Sequence, residues 1–208
     1  MGLKERRIKE KDSRRKLILK SARALFFKKG FHKVTVDEIA KIAELGKGSI
    51  YLYFNSKEEI YAQILLNDIE NLYQLVSPVF EKRGSTMDLL EEFSRIYVDF
   101  FLNEGELFRI LIAYMVHPDQ MNLTKELNSK ILEANARSVS IIGKILEKGV
   151  SSGELSPQIN IRQTQNGLWG LLNGIISLFI FFGDKDRRKD KINATIRSAL
   201  EVFVKGLQ

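Results

Sequence analysis

The sequence predicts an all-α protein of about nine helices. Apolar residues recur three and four positions apart in nearly every segment, and no stretch alternates apolar and polar residues for long. This spacing is typical of amphipathic helices rather than strands. The only prolines are Pro78, Pro118 and Pro157, and each is suited to a helix end or kink. With 44% hydrophobic and 28% charged residues, the composition is that of a globular protein.

The first two helices are marked by their boundaries. The first is predicted over residues 14–29, and Gly30 is a natural stop at its C-terminal end. The second begins at Thr35, because Thr35 and Glu38 have the spacing of a capping box, in which each side chain accepts from the other residue's amide. The expected core residues of this second helix are Ile39, Ile42 and Ala43.

A short third helix is predicted over residues 48–54, after a turn around residues 44–46. A second capping-box pattern at residues 56–59 then starts a long helix that runs to Val76, close to Pro78. Five further helices are predicted over residues 87–103, 106–117, 121–152, 161–182 and 188–206. We therefore expect an N-terminal three-helix domain over residues 1–55 and a larger, more apolar C-terminal domain over residues 56–208.

The third helix presents a face suited to a DNA groove. Ile50 and Phe54 lie four residues apart on one side and are expected to pack on the preceding helices. The other side and its flank carry only uncharged residues: Ser49, Tyr51, Leu52 and Tyr53. Hydroxyl groups donate to and accept from base edges and phosphates, and leucine suits a thymine methyl group. Two short helices joined by a tight turn are the helix-turn-helix pattern, whose second helix enters the major groove.

Lysines are found at the ends of this segment rather than within it. A point charge is sufficient for a phosphate, so Lys47 and Lys57 are candidate phosphate contacts. Lys57 lies in the first turn of the long helix, where it and the free amides are predicted to hold one phosphate, and the helix start at Thr35 another. The alternative is that Tyr51 and Tyr53 are half-buried core aromatics.

The positive charge is concentrated in the first third of the chain. Residues 1–60 contain 16 Lys and Arg against 8 Asp and Glu, whereas the whole chain has a net charge of +7. The remaining residues are therefore close to neutral. This asymmetry indicates a polyanionic partner for the N-terminal third, with a solvated basic tail as the alternative.

Several classes of protein are disfavoured by what the sequence lacks. It has no cysteine, and its two histidines, His32 and His117, are far apart, so no disulfide or metal site is expected. The charged N-terminus is unlike a signal peptide. The apolar run at residues 167–183 is shorter than the ~20 residues of a spanning helix, so we expect no membrane contact and a cytoplasmic protein. No catalytic or nucleotide-binding motif is present, so neither an enzyme nor a cofactor is expected.

Residues 14–65 resemble the N-terminal domain of the TetR/AcrR (tetracycline-repressor) family of bacterial transcription regulators. The resemblance rests on several linked motifs in the right order: Ala-x-x-Leu-Phe-x-x-x-Gly-Phe, Thr-x-x-Glu-Ile-Ala, Lys-Gly-Ser-Ile-Tyr-x-Tyr-Phe and Ser-Lys-Glu-Glu. It covers about a quarter of the chain, and the other helices resemble the family only in number and length.

The resemblance implies a homodimer that binds a palindromic operator in double-stranded DNA, usually as a repressor, and leaves it when a small molecule binds the C-terminal domain. The last two predicted helices are then the dimer interface. Carried onto this chain, the implied operator contacts are Thr35, Lys47, Ser49, Tyr51, Leu52, Tyr53 and Lys57.

Two positions depart from the family pattern. Glu44 is found where the family usually has glycine in the turn, and Gly46 where it has Ser or Thr at the helix start. Glu44 in a left-handed conformation costs roughly 1 kcal/mol. We therefore expect either that the turn shifts by one residue or that Gly46 supplies the positive φ.

The C-terminal domain is rich in large apolar residues, and most of these are expected to form its core. We hypothesise that a subset lines an apolar cavity for a small hydrophobic or aromatic effector, with a few polar groups to orient it. The candidate ligand-binding residues are Tyr97, Phe101, Phe108, Arg109, Tyr114, Trp169 and Asn173.

Three questions stay open at the level of sequence. Gly167, Gly170 and Gly174 lie near one face of a helix and indicate a dimer seam, room for a ligand, or tight packing within the chain. The basic N-terminal segment is either a disordered arm that reaches DNA or an extension of the first helix. The alternative functions are an architectural DNA-binding protein without an effector and, with less support, an all-α enzyme.

Overall fold

The computed structural model describes residues 2–103, 114, 123–182 and 188–208. Within these ranges the chain is all-α and has no strand, as the apolar spacing predicts. The eight described α-helices are α1 (Leu3–Lys29), α2 (Val36–Ile42), α3 (Lys47–Tyr51), α4 (Lys57–Val76), α5 (Thr86–Asn103), α6 (Lys125–Ser151), α7 (Ile161–Phe182) and α8 (Arg188–Lys205). Short 3-10 helices at Phe31–Lys33 and Ser77–Glu81 follow α1 and α4.

Most predicted helix boundaries agree with the structure. The segment predicted over residues 161–182 coincides with α7, and α5 and α8 each differ from their predicted ranges by one residue at one end. Helix α6 begins at Lys125 rather than at residue 121, because Thr124 caps it by accepting from the Leu127 amide at 3.3 Å. The helix predicted over residues 106–117 falls almost entirely outside the described residues.

Helix α1 is longer than predicted. It begins at Leu3 instead of residue 14, so the basic N-terminal segment is a helical extension rather than a disordered arm. Lys, Arg and Glu are good helix formers, and neither Gly nor Pro interrupts this segment. The Glu5 side chain accepts from the Gly2 amide at 3.0 Å, and Arg14 donates to Glu10 one turn earlier at 2.8 Å.

The described helices belong to two compact units. The first contains residues 2–68 and the described residues 114 and 123–131, and the second contains the rest. In the first unit α2 packs against both α1 and α3. The apolar core of this unit includes Ile18, Phe26, Ile39, Ile50, Phe54, Ile60 and Leu65.

Ile42 is not a core residue, contrary to the sequence prediction. It is 55% exposed, whereas Ile39 and Ala43 are buried. Helix α2 has only two turns, and the pair four residues apart fills the space against α1. Ile42 lies in the last turn, outside that pair, and points to solvent.

The second unit is held together by α5, α7 and α8, since α8 packs on both of the others. Its helices approach closely where small residues allow it. A Cβ on Gly149 of α6 would overlap the Thr86 hydroxyl and lie 2.9 Å from Leu155 Cδ1. Among the described helices, none has an apolar stretch long enough to cross a lipid bilayer.

Candidate nucleic-acid interface

The start of α2 is fixed by the predicted capping box. The Thr35 hydroxyl accepts from the Glu38 amide at 3.2 Å, and the Glu38 carboxylate accepts from the Thr35 amide at 3.0 Å. Lys29 donates to the same carboxylate at 2.5 Å, and this hydrogen bond, with that from Thr35, lowers the pKa of Glu38. These three hydrogen bonds hold the start of the helix, and Thr35 itself is exposed at the surface.

The turn between α2 and α3 contradicts both sequence expectations. Glu44 adopts a positive φ of 54°, whereas Gly46 has φ −70° and is an extended N-cap. The turn is closed by the Leu45 amide, which donates to the Ala40 carbonyl at 2.9 Å. Helix α3 then begins at Lys47. The turn is not shifted; Glu44 takes the left-handed conformation that usually favours glycine.

Helix α3 is seated by its apolar side. Ile50 and Phe54, each 1% exposed, lie in the core as predicted. On the other side, Tyr51 is 47% and Leu52 is 77% exposed. The helix ends at Tyr51, so Leu52 and the half-buried Tyr53 lie in the turn that follows rather than on the helix. The surface of α3 thus carries hydroxyl and aliphatic groups without a charge between Gly48 and Asn55.

The two predicted phosphate-contacting lysines are both oriented by neighbours. Lys47 donates to the Asp37 carboxylate at 2.8 Å, and this hydrogen bond raises the pKa of Lys47. Lys57 donates to the Phe31 carbonyl at 3.1 Å, and its ammonium lies 4.4 Å from the centroid of the Phe31 ring. Both cations are therefore held in defined positions, Lys47 at the start of α3 and Lys57 at the start of α4.

Sequence reasoning missed three residues that shape this surface. Asp37 orients Lys47, and Phe31 orients Lys57. Arg15 of α1 stacks on the Phe54 ring at 5.1 Å and donates to Gln63 of α4 at 2.8 Å. Their partners are between 10 and 48 residues away in sequence, so no local pattern could reveal them.

Four of the predicted ligand-binding residues come together in the second unit. The Tyr97 hydroxyl donates to Asn173 Oδ1 at 2.8 Å, and Asn173 donates in turn to the Trp169 carbonyl at 2.8 Å. The Tyr97 ring contacts those of Phe101 and Trp169, with centroids 4.7 and 4.9 Å away. All four side chains are buried, and burial raises the pKa of Tyr97, so the phenol stays neutral.

The other predicted ligand-binding residues are placed differently. Tyr114 belongs to the first unit, where its buried side chain donates to Asn128 Oδ1 at 3.0 Å. Phe108 and Arg109 lie outside the described residues. The part of the chain that the structure describes contains no cluster of His, Asp and Glu suited to a metal ion.

Residues 18–64 match the family described as bacterial regulatory proteins, tetR family. This match spans α1 from Ile18 onward, α2, α3 and the start of α4. The chain belongs to the TetR family. It is accordingly a transcriptional regulator that binds DNA, and not an enzyme.

Relatives of this TetR-family chain cover most of its length. The fatty acid metabolism regulator protein of Bacillus subtilis is 26% identical over 200 residues, which cover 96% of this chain and 98% of that protein. The regulator UidR of Escherichia coli is 24% identical over 77% of this chain and 78% of its own.

Solved structures of two bacterial regulators share the fold. FadR from Bacillus subtilis, determined in complex with stearoyl-CoA, superposes with a TM-score of 0.73 at 21% identity, over 92% of this chain and 98% of FadR. FadR from Bacillus halodurans superposes with a TM-score of 0.72 at 18% identity, covering 94% and 96% of the two chains. These likenesses support the all-helical TetR fold for both units.

Proposed function

We propose that this TetR-family chain is a repressor that binds a palindromic operator through α3 and is released by a hydrophobic small molecule. The observation that carries the proposal is the uncharged, exposed surface of α3 between two oriented lysines. In such an arrangement Ser49, Tyr51 and Leu52 read base edges, while Lys47 and Lys57 hold phosphates. Thr35 and Tyr53 lie at the margins of the same surface and complete the proposed contact set.

A homodimer is part of the proposal because one face formed by α7 and α8 has no partner in the described chain. Gly170 and Gly174 are exposed, and a Cβ on either meets no atom within 4 Å. Leu178 and Val202 are 59% and 74% exposed, although both are apolar. A second copy that covers this uncharged face gives the two DNA-binding units required by a two-fold operator.

The proposed effector is a long-chain acyl compound, bound in the C-terminal domain over residues 56–208. Two observations support this class: the fatty acid metabolism regulator aligns with nearly the whole chain, and Tyr97, Phe101, Trp169 and Asn173 form an aromatic cluster with one polar pair. Phe108, Arg109 and Tyr114 remain proposed ligand contacts. An apolar tail fits the aromatic groups, and a small number of polar groups fix its orientation.

Selection from random double-stranded DNA with the purified chain tests the repressor. We expect enrichment of a two-fold symmetric sequence, and dissociation of the selected duplex when stearoyl-CoA is added but not when coenzyme A alone is added. Replacing Tyr51 by Phe removes one hydroxyl, the proposed base contact, and is expected to weaken specific binding by about 0.5–1.5 kcal/mol. Tyr73→Phe, in the second unit, is the matched control. Absence of any enriched sequence would contradict the proposal.

A further inference from the structure

The N-terminal part of α1, as far as Arg14, carries a row of cations that continues the buried side of the helix. In the domain, Ile18, Ala22 and Leu25 are the positions through which α1 packs into the core. On the same side, toward the N-terminus from Ile18 in alternating steps of four and three residues, lie Arg14, Lys11, Arg7 and Lys4. We call these four residues the basic stripe. One side of α1 is therefore apolar in the part that packs on the domain. The same side carries the basic stripe in the part that extends beyond the domain.

The projection begins next to the DNA-binding surface. Toward the N-terminus, Arg15 is the final residue on this side that contacts the folded unit. Its guanidinium lies on the ring of Phe54, which is two residues after the exposed Leu52. Every described side chain before Arg15 is exposed. The basic stripe therefore starts at the C-terminal end of the α3 segment and runs outward from it.

Three of the four charges of the stripe are available for a partner. Among the described residues, no ion pair or hydrogen bond involves the side chain of Lys4, Arg7 or Lys11, whereas Arg14 is paired with Glu10 at 2.8 Å. From Lys4 to Arg15 the helix rises about 16 Å at ~1.5 Å per residue. This length matches roughly five phosphates of one strand, which are spaced by ~3.4 Å along the duplex axis.

We infer that the basic stripe binds the sugar-phosphate backbone of duplex DNA that flanks the sequence read by α3. The inference rests on the proposed DNA-binding role of α3, because the stripe begins where that surface ends. Its contacts are with phosphates and carry no base readout, so they add affinity and salt dependence at flanks of any sequence. The operator footprint is thereby longer than the segment that α3 reads.

The opposite side of the same helix provides a matched control. Arg6, Lys9 and Lys16 are also exposed, and they lie roughly 120–180° around the helix from the midline of the stripe. The triple variant Lys4→Gln, Arg7→Gln, Lys11→Gln and the triple variant Arg6→Gln, Lys9→Gln, Lys16→Gln each remove two lysines and one arginine. They change the net charge and the helix composition equally, and they neutralise different sides of α1.

The test compares the full chain and both triple variants on a duplex obtained by selection. One version of the duplex extends about ten base pairs, one helical turn, beyond the selected sequence on each side, and the other is trimmed to the selected sequence. Neutralising the stripe is expected to lower the slope of log K against log salt by about 2–3 per bound chain on the long duplex. The triple variant of Arg6, Lys9 and Lys16 is expected to lower this slope by less than half as much. On the trimmed duplex, the two triple variants are expected to bind with equal affinity.

Three outcomes would overturn the inference. Equal losses for the two triple variants would show that net charge acts without a preferred side, and no loss for the stripe triple would show that the stripe does not contact DNA. Loss of binding to phosphatidylserine vesicles with unchanged DNA binding would assign the stripe to a lipid surface. Failure of the unaltered chain to select any duplex would instead reject the proposed function itself. Far-UV circular dichroism of each variant confirms that α1 remains helical.

Discussion

Glu44 shows how a single residue departs from the sequence rules while the motif around it stays intact. Its φ of 54° belongs to the left-handed region, which disfavours residues with a Cβ. The side chain is exposed, so no buried contact of Glu44 offsets this cost. The buried Ala43 before the turn and Ile50 after it fix the chain path on both sides. Tertiary packing therefore imposes the conformation, at a cost in stability.

Replacing Glu44 by Gly should stabilise the chain. Glycine adopts a positive φ freely, so we expect the free energy of unfolding to rise by about 1 kcal/mol relative to Glu44→Ala. The alanine variant is the control because it removes the same carboxylate but keeps a Cβ at the strained position. Urea denaturation of both variants measures the difference. If the two unfold at the same urea concentration, Glu44 is not strained in solution.

At the level of elements, the apolar period predicts helices well where one side is buried. Helices α5, α7 and α8 each have such a side, and their boundaries agree with prediction within a residue. Residues 4–13 of α1 are exposed, so no apolar period marks them, and only their helix propensity and local ion pairs indicate the extension. The prediction that Ile42 is buried is wrong for a related reason, because a two-turn helix buries too few residues to define an apolar side.

The candidate interface could be predicted only where its signal is local. The capping box of α2 and the buried pair of α3 depend on spacings of three and four residues, and both are confirmed. The orientation of Lys57 depends on Phe31, 26 residues earlier, and that of Lys47 on Asp37 in the preceding helix. These contacts arise from the way the helices pack, which the spacing of residues does not encode.

The glycines of α7 and α6 lead to opposite predictions. A Cβ at Gly170 or Gly174 meets nothing, so alanine there should raise the stability of the isolated chain by about 0.5–1 kcal/mol per site. If those glycines form the dimer seam, the double variant Gly170→Ala, Gly174→Ala should also dissociate at higher concentration than the unaltered chain. Analytical ultracentrifugation measures the dissociation, and thermal melts at several protein concentrations measure the stability.

Gly149→Ala is the control for this pair, because it places a methyl group against Thr86 and Leu155 within one chain. Overpacking of this kind costs about 1–3 kcal/mol, and we expect that loss at every protein concentration. A double variant of α7 that dimerises as tightly as the unaltered chain would place the seam elsewhere.

Across the whole molecule, the basic residues and the buried aromatic cluster lie in different parts of the chain. The excess positive charge lies in residues 1–60, whereas the buried aromatic cluster around Tyr97 lies in the second unit. A polyanion and an apolar ligand are thus proposed to bind different parts of one chain. Helices α4 and α6 each contribute residues to both units, so the units share continuous elements.

Thermodynamic linkage couples these two proposed sites. If stearoyl-CoA weakens operator binding by a given factor, thermodynamic linkage requires that the operator weaken stearoyl-CoA binding by the same factor, typically about 5–150-fold. We expect the two factors, measured by titrating each ligand with and without a saturating amount of the other, to agree. Tyr51→Phe should weaken DNA binding while leaving the affinity for stearoyl-CoA in the absence of DNA unchanged. An affinity for stearoyl-CoA that is indifferent to the operator would show that this acyl thioester is not the regulating ligand, because a ligand with equal affinity for both states shifts neither.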